Sequence, residues 1–306
     1  MEAKTNRPTW QTLLAFAIIY FVWGSTFLAI RIGVHEVPPF LLAAMRFSVA
    51  GVVLYGWTAA RGERSPSRRE WMSVLLIAFL IFVMDYGLLF WAEQRVPSGI
   101  AAVMMATIPA FMALSEIVIL RTQRLTARLG LALLIGICGV AVLMVPSLST
   151  LNLGGAPIDR AGAVALIIGS VSWSIASILT RKLALPSSKV MSSGAQMLAG
   201  GVMLALASAA LGEFQRFHPS AVSRAAWLSL LYLIVAGSII GFTAYVWLIH
   251  HESPTKVGTY AYVNPVVAVV IGYFLGGETL GLRTILGTSF VLISVVVITT
   301  TRAKAA

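Results

Sequence analysis

The chain has 306 residues and a formal net charge of +11, yet only 11% of its residues are charged and its mean hydropathy is +0.90. Soluble domains carry about 25% charged residues, so a soluble enzyme or a free nucleic-acid-binding domain is excluded. The longest polar stretch, 147–160, is too short to fold alone. No G-x-x-x-x-G-K-[ST] phosphate loop is present, so the chain does not itself burn ATP.

Apolar runs follow one another at about 10–30, 38–60, 71–92, 98–120, 128–146, 161–180, 190–211, 226–249, 257–276 and 284–301. Each is long enough to cross a hydrocarbon core of ~30 Å at ~1.5 Å per residue. Lipid offers no partner to a backbone amide, so each run must pair its own N–H and C=O groups and is read as a helix. The expected fold is an all-α integral membrane protein with ten transmembrane helices. Met1–Pro8 and the first run together are too long for a cleaved leader, so that span is expected to be retained. The single cysteine, Cys138, forms neither an intrachain disulfide nor a metal site and is expected as a small buried apolar residue.

Charge sets the orientation. With ten spans the two termini share one side, and that side holds fifteen of the Lys and Arg residues. The opposite side holds six, Arg31, Arg95, Arg160, Arg216, Arg224 and Arg283, while Arg46 falls inside a span. The bias predicts cytoplasmic termini and makes the basic residues topology determinants beside a lipid bilayer rather than a nucleic-acid surface.

The chain also repeats. A shift of 150 residues lays Trp23-Gly24 and Arg31 on Trp173-Ser174 and Arg181, Arg46 on Gln196, and Ala50-Gly51 on Gly200-Gly201. A shift of 156 lays Trp91 on Trp247 and Pro109 on Pro265. Two five-helix repeats follow, 10–146 and 161–301, joined by 147–160. Five is odd, so the second repeat enters the membrane inverted. Inverted repeats build secondary transporters whose site lies at the midplane between the halves.

Phe21-Val22-Trp23-Gly24-Ser25-Thr26-Phe27, Met45-Arg46-Phe47, and the run from Gly258 through Asn264-Pro265 to Gly277-Glu278 resemble motifs of EamA-type carriers in the drug/metabolite transporter superfamily. Within that family the chain most resembles the YddG-type exporters of aromatic and other amino acids. The resemblance spans about 10–301 and implies a ten-helix inverted-repeat carrier of the bacterial inner membrane, exporting amino acids or other metabolites. One departure is that the first half has Arg121-Thr122-Gln123 where the second has its Gly-Glu step.

Charges inside spans are costly, about 2.5–3.5 kcal/mol at the bilayer centre, and so point to function. Arg46 and Asp85 fall at equal depth on consecutive spans, either as an ion pair fixing two helices or as groups facing a substrate. Glu116 is expected to pair with Arg121 or Arg124, and Glu93 and Glu278, at span ends, are expected in water. Trp23, Ser25 and Thr26 and their repeat partners Trp173, Ser174 and Ser177 lie on corresponding spans, and Tyr86 adjoins Asp85. Tyr260, Tyr262 and Asn264 precede Pro265, which frees a carbonyl. The candidate cavity set is Trp23, Thr26, Arg46, Asp85, Tyr86, Trp173, Ser177, Tyr260, Tyr262 and Asn264. Trp71, Trp91, Trp227 and Trp247 read as interfacial belts, and Pro109 and Pro265 as kinks. The four histidines lie outside the spans or at their ends, which argues against a membrane-embedded enzyme and a metal site. The expectation is a monomeric exporter without catalytic residues or cofactor, acting on a small molecule, with an amino acid first. A drug or nucleotide-sugar-like carrier is the alternative, although phosphate would call for several intramembrane cations and only Arg46 qualifies.

Overall fold

The computed structural model describes residues 9–115, 117, 126–144, 158–252 and 257–302, and every regular element among them is helical. Glu116 and its expected partners, the Arg121-Thr122-Gln123 step and most of the 147–160 connection lie outside the described residues. The long helices are α1 (Trp10–Val34), α2 (Pro39–Ala60), α3 (Arg68–Glu93), α4 (Ser98–Ser115), α5 (Ala127–Leu143), α6 (Arg160–Leu179), α7 (Lys189–Ala210), α8 (Arg224–Leu248), α9 (Tyr260–Gly276) and α10 (Leu282–Thr300). Eight are long and apolar enough to cross a membrane, while α5 and α9 are shorter apolar helices.

Local chemistry sets the helix ends. Pro39 opens α2, where its missing N–H costs nothing. Ser67 and Glu70 form a reciprocal capping box at the start of α3. Asp159, Ser188 and Ser223 cap α6, α7 and α8 through their side-chain oxygens. At the other ends, Gly62, Gly212 and Gly277 take φ values of +78°, +68° and +63°, a region open to glycine at little cost.

The packing ties the two halves together. α2 lies against α7 and α5 against α10, the two most extensive contacts, while α3 meets α6, α1 meets α8 and α4 meets α9. Exchanging the first five helices for the last five maps this set of pairings onto itself. The α2–α7 contact is backbone against backbone. A Cβ at Gly51 would stand 2.4 Å from Leu198 N, one at Gly194 2.6 Å from Tyr55 N, and one at Gly201 2.5 Å from Ser48 N. Small residues at this crossing supply the van der Waals contact that holds helices together where no hydrophobic force acts between them. The largest buried cluster draws Phe47, Phe90, Leu42, Leu54, Leu166, Leu204 and Leu233 from both halves. The outer surface stays apolar, with Leu275, Phe274, Met72 and Leu206 all exposed, as a lipid-facing surface requires. Cys138 is exposed on this surface, not buried as its small apolar character suggested.

Among the described residues, three of the long helices contain extended π-turns. π-turns occupy Ile18–Val22 of α1, Phe79–Gly87 of α3 and Leu233–Ile240 of α8. A π-turn bonds i to i+5 and is frequent at functional sites. Pro109 follows a turn at Ala106–Thr107 that interrupts α4, whereas Pro265 lies inside continuous α9.

Candidate functional site

Carbonyls in the π-turns accept from side chains on other helices. Trp23 on α1 donates its indole N–H to Gly237 O in the α8 π-turn at 3.0 Å. Ser172 on α6 donates its hydroxyl to Leu80 O in the α3 π-turn at 2.8 Å. These two bonds join corresponding pairs of helices in the two halves, α1 with α8 and α6 with α3. Asn264, with its amide turned to suit its surroundings, donates from its nitrogen to Ile19 O and Tyr20 O in the α1 π-turn at 3.1 and 3.2 Å. Asn264 thus meets backbone groups of α1, one helix away from its own.

Between the π-turns of α3 and α8 lies Arg46, 3% exposed. Its Nε donates to Ser238 Oγ at 2.9 Å, and Ser238 follows directly on the residue that accepts from Trp23. The guanidinium carbon stands 4.7 Å from the Phe47 ring centre, 5.3 Å from that of Tyr86 and 6.0 Å from that of Phe90. Aromatic faces stabilise a cation there by about 0.5–2 kcal/mol each, partly offsetting its lost hydration. Nη1 is buried and has no hydrogen-bond partner.

Arg46 and Asp85 do not form an ion pair. Asp85 is 1% exposed and faces α6, where a Cβ at Gly169 would lie 3.2 Å from its Oδ1. Asp85 and Tyr86 are adjacent in the chain, so their side chains leave the helix in different directions, and Tyr86 takes the side facing Arg46. Trp173 meets the Tyr86 ring edge-on at 5.9 Å and extends the aromatic wall onto α6. Trp23 packs on Tyr245 and Tyr260 at 5.4 and 5.3 Å. Thr26 lies against Gly237, whose added Cβ would meet Thr26 Cγ2 at 2.9 Å and Arg46 Nη2 at 3.3 Å. Seven of the ten candidates, Arg46, Tyr86, Trp173, Trp23, Thr26, Tyr260 and Asn264, therefore line or brace the region of the three π-turns. Ser177 returns its hydroxyl to Trp173 O in its own helix, and Tyr262 packs in an apolar cluster with Val103, Leu143 and Val291.

Sequence reasoning missed Ser238, the ring pair Phe47 and Phe90, and Ser172. Ser238 carried a signal, being the only polar side chain in the run Leu233–Ile240, beside a helix that bears an unpaired charge.

A separate groove between α4, α5 and α10 is lined by Phe111, Leu114, Leu133, Ile137 and Val295. Its hydroxyls, on Thr107 and Ser294, donate to Met104 O and Ala132 O at 2.7 Å each, so neither has a hydrogen left to give a solute.

At one end of the bundle the loops are bound tightly. Glu278 Oε1 accepts from Ser98 N at 2.6 Å and Ser98 Oγ at 2.7 Å, and Oε2 accepts from Gly99 N at 3.0 Å. Arg31 Nε lies 3.6 Å from Glu278 Oε1, and Arg31 Nη1 donates to Val96 O at 2.6 Å. Glu36 accepts from Ser223 N at 2.5 Å and from its hydroxyl at 2.7 Å, which holds the Glu36 carboxyl below its ordinary pKa. Glu213 accepts from Leu41 N at 2.9 Å. Glu93 and Glu278, expected in water, are instead buried, Glu93 at 0% exposure and the Glu278 side chain at 9%.

An apolar-surfaced helical bundle with a buried guanidinium and aromatic faces at its middle fits a membrane transporter. The chain belongs to the EamA-like transporter family, whose profile matches residues 10–145 and again 160–300. It is similar to the inner membrane transporter YedA of Escherichia coli, at 39% identity over 98% of this chain and 93% of that protein. It is also similar to transporter YoaV of Bacillus subtilis, at 23% identity over 90% of this chain and 92% of the relative. A solved crystal structure superposes with a TM-score of 0.63 at 22% identity, covering 95% of this chain and 98% of that one, and shares the fold.

Proposed function

We propose that this transporter exports small metabolites, amino acids with aromatic or neutral side chains first, across a bacterial inner membrane. In this reading ten membrane-crossing helices form two inverted repeats of five, the termini are cytoplasmic, and the centre opens alternately to either side. The charge bias between the two sets of loops supports the orientation. The repeat in sequence and the pairing of helices across the halves support the inversion.

One observation carries the substrate class. Arg46 is buried beside three aromatic rings with Nη1 unclaimed. A guanidinium donates in a planar fork that suits a carboxylate, and rings beside it suit an apolar or aromatic side chain. A single cation matches one carboxylate better than a diphosphate. Transport here needs no covalent chemistry. The protein lowers the barrier by replacing part of the water that a zwitterion loses on entering the membrane.

The test is efflux from proteoliposomes loaded in turn with labelled threonine, methionine, phenylalanine or tryptophan. Saturable release, blocked by unlabelled competitor and strongly weakened in Arg46→Met, is the expected result. No release above empty liposomes from folded protein would overturn the amino-acid reading in favour of a drug or another metabolite.

A further inference from the structure

We propose that Glu93 is a proton-binding site, occupied while the Glu278 end of the bundle is closed and emptied when that end opens. The inference rests on the carrier reading only in supposing that this end opens.

Glu93 ends α3 and is 0% exposed, and neither of its carboxylate oxygens has a hydrogen-bond partner. This is unlike the other carboxylates of that end. Glu278 accepts three hydrogen bonds, Glu36 two, and Glu213 one from Leu41 N. An ionised carboxylate stripped of water and given no donor is strongly disfavoured, whereas the neutral acid is far cheaper to bury. The closed end therefore holds Glu93 as the acid.

The surroundings agree. The last turn of α3 packs against α1, α2, α4 and α6. Three charged groups act on Glu93, namely Glu278, Arg31 and Arg46. Arg31 is directed elsewhere, to Glu278 and Val96 O, with a long contact of 3.4 Å to Glu93's own carbonyl. Arg46 is held by Ser238 and its rings. α4 presents Ser98, already bound to Glu278, and at the start of α6 Asp159 is occupied by Gly162 N while Arg160 is exposed.

Glu93 adjoins the bonds that shut this end, because Arg31 reaches both Glu278 and the Glu93 carbonyl. Separating Glu278 from Ser98 and Gly99 removes the 277–281 connection from α4 and admits water to the end of α3. Glu93 then gives its proton to that water and becomes a solvated carboxylate. Closing reverses the step, with the carboxylate taking a proton from the solution at this end before it is buried. One proton bound on closing means that each unit rise in pH shifts the balance about tenfold toward the open form.

Two measurements test this on the full-length protein in lipid nanodiscs. The first is infrared difference spectroscopy, wild type minus Glu93→Gln, with isotope-labelled glutamate to separate the band from Asp85. The expected difference is a protonated-acid C=O band at neutral pH, and carboxylate bands in its place would overturn the proposal. The second uses spin labels at Arg95→Cys and Leu280→Cys, both exposed, in a Cys138→Ser background. The ratio of the two distance populations should shift about tenfold per pH unit in the parent. It should lose that dependence in Glu93→Gln, whose amide imitates the acid. An equal pH response in both proteins would also overturn it. Where Glu93→Gln fails to fold, the isotope shift of the acid band in the unmutated protein decides alone. Neither measurement needs a substrate, so failure of the amino-acid reading leaves both outcomes intact.

Discussion

Replacing Glu278 with glutamine should loosen one end of the bundle by a calculable amount. The carboxylate accepts from Ser98 N, Ser98 Oγ and Gly99 N at 2.6, 2.7 and 3.0 Å. Hydrogen bonds to a charged group contribute about 1.5–3 kcal/mol each against about 1 for neutral ones. The amide keeps one oxygen, so two bonds survive as neutral ones. Its nitrogen would face the Gly99 N–H donor to donor, and that bond is lost. The Arg31 contact at 3.6 Å, on a side chain 25% exposed, adds at most about 1 kcal/mol. Water reaches part of this helix terminus and recovers part of the loss. The expected net change is therefore about 2–3 kcal/mol, which shifts the closed-to-open ratio by about 30- to 150-fold. The spin-label pair at Arg95→Cys and Leu280→Cys reads that ratio directly, and thermal unfolding in detergent gives an independent value. An unchanged distance distribution together with an unchanged unfolding midpoint would refute the assignment of Glu278 as the tie between α4 and the 277–281 connection.

Gly201→Ala should destabilise by about 1–3 kcal/mol, because the new methyl would lie 2.5 Å from Ser48 N and backbone cannot swing aside. Gly56→Ala, with nothing within 4 Å, should be neutral or slightly stabilising, and comparing the two thermal midpoints checks both. Arg46→Met should fold, since removing a buried charge into similar volume is tolerated, and Arg46→Lys should lose the planar fork. Both should weaken saturable efflux by about tenfold or more (~1.4 kcal/mol), read as KM and kcat in liposomes, and undiminished transport in both would remove Arg46 from the binding site. Glu36 is stabilised as the anion by Ser223, so its contribution is present above the ordinary carboxylate pKa of about 4.3 and lost as pH falls through its lower native value. Wild type should therefore melt above Glu36→Gln at neutral pH and converge with it in strong acid, whereas a constant gap would contradict the assignment.

The helices were legible because lipid imposes one rule on every residue of a span. Arg46 was legible for the same reason, as a charge where charge is expensive. Its partners were not, because Ser238 lies 192 positions away and the choice of Ser238 over Asp85 depends on the rotation of each helix. π-turns lie in the two helices that flank Arg46, and no local pattern marks them, since Phe79–Gly87 and Leu233–Ile240 read as ordinary apolar helix. Glu93 and Glu278 were misplaced because position along a span gives depth but not what folds over the end. The similar polarity of Asn264, Tyr260 and Tyr262 also concealed three different surroundings, which only the packing of α9 separates.

The three π-turns have a consequence for how such a site can change. The polarity they add at the middle of the bundle belongs to main-chain carbonyls, which no substitution deletes. What substitution can alter is the donor that occupies each one, here Trp23, Ser172 and Asn264. Replace a donor with an apolar residue and a carbonyl becomes available to a solute's own N–H or O–H. A change of selectivity can then come from vacating a position rather than from building one, with the helices left where they are.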